Sequence, residues 1–250
     1  MRRVFVLVTV AAVVGLLPAT AVAEDNKVHA VPFTFVGTAA QCAPSPAGSR
    51  IVTAAWLGGM GLPDNGGPSA TTPDDPHTGL LLSKNGPTAD CSSSGARITG
   101  VSGMTVDANF ALGFDYRLGG HCGAGAPRFN VDTDKGFFFV GCANAPQSAA
   151  PQDPAQWSRT RSVLATCGVE CFPSAIPVGA KIKSISILFD EGTDTANNDT
   201  QGVGLAVIDN IFINGQVITS GPARGNKDKD KDKDKDKHEN GDEDDQGEQD

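Results

Sequence analysis

Apolar and polar residues alternate along much of this chain in short runs, a pattern typical of β-strands with one face in a core. The clearest run covers residues 110–117, where every second side chain is large and apolar: Phe110, Leu112, Phe114 and Tyr116. Because successive side chains of a strand point to opposite faces, this run predicts a half-buried strand with Tyr116 in the core. The other runs that we predict to be strands are 31–36, 51–57, 78–83, 96–101, 104–106, 127–132, 137–142, 181–189, 203–213 and 216–219.

Turn-forming residues separate these runs. Segments 58–75 and 143–156 are rich in Gly or Pro and lack periodicity, which predicts long loops. Asn214-Gly215 lies between two apolar runs and predicts a tight hairpin turn. Many short strands without an amphipathic helix between them indicate an all-β fold. We expect an antiparallel β-sandwich, jelly-roll-like, with long Gly/Pro loops and disulfides.

The chain divides into three segments of different composition. Residues 1–23 join an arginine pair, an apolar run and an Ala-Val-Ala site, which predicts a secretory signal peptide. Residues 24–223 form the predicted β-sandwich domain. Residues 224–250 contain a strict Lys-Asp alternation at 227–237, followed by an acidic stretch, and no apolar side chain, which predicts a disordered tail. We therefore expect a secreted, extracellular protein with no membrane span after signal cleavage.

All six cysteines lie inside the predicted domain, and an even number in an exported chain predicts three disulfides. Two cysteines stand close together and are expected to pair locally. Two others flank a predicted hairpin and are expected to meet across its open end, which leaves the last two for each other. The expected bridges are Cys167–Cys171, Cys122–Cys142 and Cys42–Cys91.

The formal net charge of −9 narrows the choice of partners. An acidic protein repels the phosphates of nucleic acid, so we expect no nucleic-acid partner. Its carboxylates are instead suited to holding cations.

The segment after the strand predicted at 181–189 is the richest in side-chain oxygens. Calcium prefers six to eight hard oxygen ligands on a flexible loop, so this segment predicts calcium as a cofactor. The alternatives are ordinary turn residues that cap their own backbone, and a catalytic role. The candidate metal ligands are Asp190, Glu191, Asp194, Asn197 and Asp199, with Asp209 contributed by the next strand.

The run Asp209-Asn210-Ile211-Phe212-Ile213-Asn214-Gly215 resembles the closing strand of jelly-roll carbohydrate-binding and galactose-binding-like modules. The stretch 79–131 is similar to uncharacterised secreted bacterial proteins, a resemblance that implies export and no particular activity. Sugar binding needs exposed flat rings beside polar groups. Trp56 borders one long predicted loop and Trp157 lies in another, so these two are the predicted ligand-binding rings, with core packing as the alternative.

Together these features predict a secreted, non-catalytic binding protein, with calcium-supported binding of a polysaccharide or cell wall as the specific expectation. One alternative is an extracellular hydrolase or lyase, which needs a cleft that joins His77 or His121 to the acidic residues near 190. Another is a structural, envelope-associated protein whose tail makes the contact. Arg128 interrupts an apolar run and is expected to pair with Asp115 or Asp132.

Overall fold

The computed structural model describes residues 27–48, 50–68, 75–194 and 202–222. This part of the chain contains thirteen strands and one short helix, α1 (Ala39–Cys42). The strands are β1 (His29–Val36), β2 (Val52–Leu57), β3 (Gly79–Lys84), β4 (Ser92–Thr99), β5 (Ala111–Arg117), β6 (Arg128–Thr133), β7 (Gly136–Val140), β8 (Gln147–Ala149), β9 (Trp157–Val163), β10 (Cys171–Phe172), β11 (Ile182–Phe189), β12 (Leu205–Ile213) and β13 (Gln216–Ile218).

The strands form two antiparallel sheets. The first has six strands in the order β1-β4-β11-β6-β7-β10, and the second has seven, with β2-β3-β12-β5-β9-β8 in line and β13 paired to β12. One buried apolar cluster draws on strands of both sheets, as expected of a sandwich. The predicted all-β antiparallel fold is therefore confirmed, and the jelly-roll connectivity stays a prediction.

The core follows from the alternation seen in the sequence. Phe110, Leu112, Phe114 and Tyr116 are each at most 3% exposed, as the period of two predicts. Each such side chain contributes about 1.5–3 kcal/mol when it leaves water. Opposite them lie core residues of the six-stranded sheet, and the Phe114 and Phe129 rings meet at 5.6 Å between centroids.

The three expected disulfides are present, with Cα–Cα distances of 5.7, 5.3 and 5.8 Å. Cys42–Cys91 joins α1, which follows β1, to the residue just before β4. Cys122–Cys142 is fully buried and joins the segment before β6 to the segment after β7, across the open end of this hairpin. Cys167–Cys171 closes the short loop that leads into β10. Such bridges persist in an oxidising compartment.

Some strand predictions need correction. Residues 104–106 form a loop with a single bridge, from Thr105 to Lys181, because β11, which begins at Ile182, pairs with β4 and β6 instead. In the other direction, β8 falls in the segment 143–156 that the pattern predicts to be a loop, and β9 and β10 fall where the pattern predicts no strand. The helical turn α1 is stabilised by a capping box between Thr38 and Gln41.

The outer face of the seven-stranded sheet is covered by loops. Leu62, Ala150 and Trp157 pack there with Val207 of β12 in a second apolar cluster. The long segment predicted as a loop at 58–75 thus lies in part against a sheet. The predicted signal peptide (1–23) and tail (224–250) lie outside the described residues.

Candidate functional site

The acidic residues that follow β11 lie near one another but are bound to different partners. Asp190 accepts two hydrogen bonds from Arg128, Nη1 to Oδ1 at 2.6 Å and Nη2 to Oδ2 at 2.7 Å. Arg128 therefore pairs with Asp190, and the expectation of Asp115 or Asp132 is wrong because strand pairing brings the end of β11 beside the start of β6. Asp194 accepts hydrogen bonds from the backbone and hydroxyl of Thr88, which lower its pKa.

Glu191 contacts the imidazole of His121, so the structure does join a histidine to the acidic segment. The other ring nitrogen, Nδ1, lies 3.0 Å from the carbonyl oxygen of Val203. The His121 side chain is 0% exposed, and its ring packs edge-on against Phe189. An acid–base catalyst must reach its substrate, whereas both nitrogens of this ring are engaged inside the protein. The contact is thus suited to anchoring the chain after β11.

His77, the other histidine considered as a base, lies two residues before β3 of the seven-stranded sheet. Its backbone N–H donates to Asp75, and its φ of 48° is left-handed. Within the described residues, the histidine seen in contact with the acidic segment is His121.

A buried lysine lies at the centre of the acidic region. The Nζ of Lys84 donates to the carbonyl oxygens of Thr88, Asp90 and Asp190 at 3.0, 2.8 and 2.8 Å, and lies 3.3 Å from the Asp90 carboxylate. The side chain is 0% exposed. This ammonium group has the oxygen surroundings of a bound cation and supplies the positive charge that joins the 84–90 turn to the end of β11.

The predicted calcium ligands are accordingly dispersed. Asp190, Glu191 and Asp194 have the separate partners described above, and Asp209 lies in β12 of the other sheet. Asn197 and Asp199 lie outside the described residues. Within 27–48, 50–68, 75–194 and 202–222, no group of three or more His, Cys, Asp or Glu side chains is arranged to hold a metal ion. Calcium binding stays a prediction.

The two tryptophans are less accessible than expected of ligand-binding rings. Trp157 is 3% exposed because the loop residues Leu62 and Ala150 pack against it, so the expectation of an exposed ring is corrected. Trp56 is half-buried, and its Nε1 donates to the carbonyl of Ala30 at 2.9 Å. Both rings pack between elements of the fold.

Exposed aromatic rings occur instead on the six-stranded sheet, where Phe137, Phe139 and Phe172 form a contiguous group that we call the aromatic strip. Phe137 and Phe172 are 48% and 66% exposed. The Phe139 ring lies 5.2 Å from that of Phe137 and 6.3 Å from that of Phe172, with an interplanar angle of 34° to the latter. Two gently tilted rings and one edge-on ring therefore face solvent together.

Polar side chains continue this surface across the sheet. One row in register crosses all six strands and consists of Phe172, Phe139, Asn130, Ser186, Arg97 and Val31. The guanidinium of Arg128 lies 5.2 Å from the centroid of the Phe139 ring, within the range of a cation–π contact. We call this outward surface of the six-stranded sheet the open face.

A cavity of about 560 Å³ lies at the end of the open face nearest Asp190. It is lined by Phe35 and Leu188 from the open face and by Thr88 and Glu191 from the acidic region. Aromatic rings, hydrogen-bonding side chains and a cavity therefore lie along one sheet surface, which makes the open face the candidate functional site.

The sequence reading did not select these rings. Phe138 is buried, so the alternation of a strand places Phe137 and Phe139 on the opposite, solvent side. That signal was available in the Phe-Phe-Phe run. Phe172 carried no such signal, because its strand has only two residues and joins the strip by pairing with β7.

The Asp-Asn step that suggested a closing strand has a structural role in the other sheet. Asp209 accepts hydrogen bonds from the backbone N–H groups of Leu62 and Asn210 at 2.7 and 2.6 Å. Asn210 has a φ of 45° within a β-bulge of β12. A side chain at Gly61 would place its Cβ 2.6 Å from Asp209 Oδ2, so only glycine permits this close approach. Asp209 therefore anchors the loop around Leu62 to the seven-stranded sheet.

We expect Asp209 to make stability depend on pH. Burial raises the pKa of Asp209 to about 8, although its two backbone hydrogen bonds act in the opposite direction. Between about pH 4 and pH 8 the folded chain then keeps a proton that the unfolded chain releases, so the free energy of unfolding falls as pH rises, by up to about 1.4 kcal/mol per pH unit. Urea unfolding at pH 5 and pH 8 measures this fall.

The matched control is Asp209→Asn, which cannot titrate. The substitution turns an amide group toward a backbone N–H, which lowers the free energy of unfolding by the same amount at both pH values. Relative to wild type, the variant should gain stability between pH 5 and pH 8. An identical pH dependence of both proteins would contradict the expectation.

No helix in the described ranges is long and apolar enough to cross a membrane. In comparisons with known proteins, no protein-family model and no curated protein matches this chain.

Proposed function

We propose that this chain is a secreted, non-catalytic binding protein that holds a polysaccharide along its open face. The observation that carries the proposal is the aromatic strip, because large rings exposed together on a folded surface are unusual away from binding sites. Ring faces suit the apolar faces of sugars, and adjacent polar side chains fix the orientation of a ligand. The disulfides fit an extracellular location, where polysaccharides of cell walls occur.

The surroundings of the strip support a sugar more than an apolar partner. Arg128, Asn130 and Asp132 of β6 point to the same side of the sheet as the rings and are half-buried. Asn130 Oδ1 accepts a hydrogen bond from Arg128 Nε at 3.1 Å. The amide nitrogen of Asn130 is then a donor for a ligand on the open face. The hydroxyl groups of a sugar need such donors and acceptors beside the aromatic ring on which the sugar stacks. Arg128 already neutralises Asp190, so the binding mode that we propose does not use Asp190 as a calcium ligand.

The proposal is tested with Phe172→Ala. Phe172 is 66% exposed, so its removal should leave stability almost unchanged while it removes a binding surface. Aromatic anchors of an interface commonly cost about 2 kcal/mol or more when truncated, which corresponds to binding weakened by about thirtyfold or more. Affinity electrophoresis against soluble glucans, xylan, mannan and galactan, followed by calorimetry on the retained polysaccharide, gives the measurement.

The matched control is Val169→Ala, which removes an 84% exposed apolar side chain from the loop beside Phe172 but off the strip. Wild type and this control should bind alike, and Phe137→Ala should weaken binding as Phe172→Ala does. The proposal is overturned if no polysaccharide in the panel retards the wild-type protein, or if both phenylalanine variants bind as tightly as wild type.

A further inference from the structure

A second cavity, of about 440 Å³, lies on the opposite side of the molecule, on the outer face of the seven-stranded sheet. Its floor is formed by Arg159 and Arg161 of β9 and Phe212 of β12, and its rim includes Asn65 and Thr219. We call it the arginine cleft. Its volume lies within the range of small-ligand pockets.

One of the two arginines is fully committed to a neighbour. Arg159 donates from Nε and Nη2 to the two oxygens of Asp115 at 2.7 and 2.8 Å. Asp115 is 0% exposed, and its Oδ2 also accepts a hydrogen bond from the Asn210 amide at 2.9 Å. This carboxylate is thus satisfied by Arg159 and Asn210.

The second arginine is less well compensated. Arg161 Nη1 donates to the carbonyl of Thr160 at 2.6 Å and lies 3.6 Å from Asp115, beyond a hydrogen bond. Its guanidinium lies 4.9 Å from the centroid of the Phe212 ring, and its side chain is 26% exposed to the cleft. The Nε and Nη2 groups of Arg161 donate no hydrogen bond within the described part of the chain.

The carboxylates near the cleft are shared with Arg159 or bound to other groups. Asp115 faces two guanidinium groups. Asp209 is bound by backbone N–H groups, and Asp64, on the rim, accepts from the backbone and hydroxyl of Thr78. Burial lowers the pKa of Arg161 to about 10; the charge of Asp115 acts in the opposite direction but does not offset burial, and the charge of Arg159 lowers the pKa further. A partly buried cation with open donors is stabilised by an anion.

We propose that the arginine cleft is a second binding site, which holds the carboxylate of an acidic sugar residue such as a hexuronate. A guanidinium offers a planar pair of donors that matches a carboxylate. Phe212 and Val217 provide an apolar wall for the sugar ring, while Asn65 and Thr219 provide polar groups for its hydroxyls. The site is separate from the open face and does not depend on the function proposed there.

The test is calorimetric titration of the full chain with galacturonate and glucuronate oligosaccharides, compared with neutral glucose oligosaccharides and acetate. We expect saturable binding of at least one of the two hexuronate series, and no saturable binding of the neutral oligosaccharides or of acetate. Arg161→Gln should weaken it by about tenfold to a hundredfold, the range for a hydrogen bond to a charged group. Arg161→Lys keeps the charge without the fork and should weaken it less, by about tenfold.

Two controls keep the result interpretable. Arg117→Gln makes the same charge change on an exposed arginine of β5 outside the cleft and should bind like wild type. Phe172→Ala should also bind hexuronate like wild type, which separates this site from the open face. If Arg161→Gln does not fold, Arg161→Lys decides. The proposal is overturned if hexuronates do not bind, if acetate binds equally well, or if the Arg161 variants match wild type.

Discussion

Replacing Lys84 with methionine should reduce the free energy of unfolding by about 3–5 kcal/mol, the usual loss when one partner of a buried ion pair is removed. Methionine preserves most of the side-chain volume, so the loss reports the ammonium group. Without it, the carbonyls of Thr88, Asp90 and Asp190 would lose the donor that they share, and the Asp90 carboxylate would lose its nearby positive charge. Guanidinium unfolding followed by tryptophan fluorescence provides the measurement.

The matched control is Lys183→Met. Lys183 is 60% exposed and lies 3.6 Å from Asp132, so its ion pair is open to solvent. Exposed pairs contribute about 0–1 kcal/mol, and the control should change stability by no more than that. Equal effects of the two substitutions would show that Lys84 is not the connection between the 84–90 turn and β11 that its contacts describe.

Removing the Cys42–Cys91 bridge by double substitution to alanine should cost about 4 kcal/mol. The chain-entropy estimate grows with the length of the closed loop, and this pair has a sequence separation of 49. The bridge holds the segment after β1 against the start of β4, so its loss also frees an edge strand of the six-stranded sheet. Urea unfolding of the wild-type and variant proteins measures the difference.

The same substitution at Cys167–Cys171 is the control, because that pair has a sequence separation of 4 and should cost about 2 kcal/mol. The third pair, Cys122–Cys142, has a separation of 20 and an expected loop term of about 3 kcal/mol. A smaller loss for the longest loop than for the shortest would contradict the loop-closure explanation.

The strand at β5 shows how far the pattern of residues predicts structure. The alternation correctly places Phe110, Leu112 and Phe114 on the core side. It also places Asp115 on the opposite side, yet Asp115 is 0% exposed. Periodicity identifies the side chains that share a face of a strand, but only the packing of distant loops decides whether that face meets water.

The candidate site depends on the same distinction. The alternation around Phe138 is enough to direct Phe137 and Phe139 outward. The strip is completed by Phe172 and bounded by Arg128, and both relations depend on which strands become neighbours. Likewise, the oxygen-rich segment after β11 predicts a calcium site, which stays a prediction, whereas no local pattern indicates that Lys84 of β3 reaches the backbone carbonyl of Asp190 there.

The sequence by itself therefore determined the β class, most strand positions, the core side of β5 and the choice of disulfide partners. These properties depend on the local alternation of side chains, on turn-forming residues and on the spacing of cysteines. The tertiary structure decided that Arg128 pairs with Asp190, that Trp157 is covered and that the six-stranded sheet keeps an open aromatic face. Such contacts are set by the register and order of strands far apart in the chain, which local side-chain periodicity does not encode.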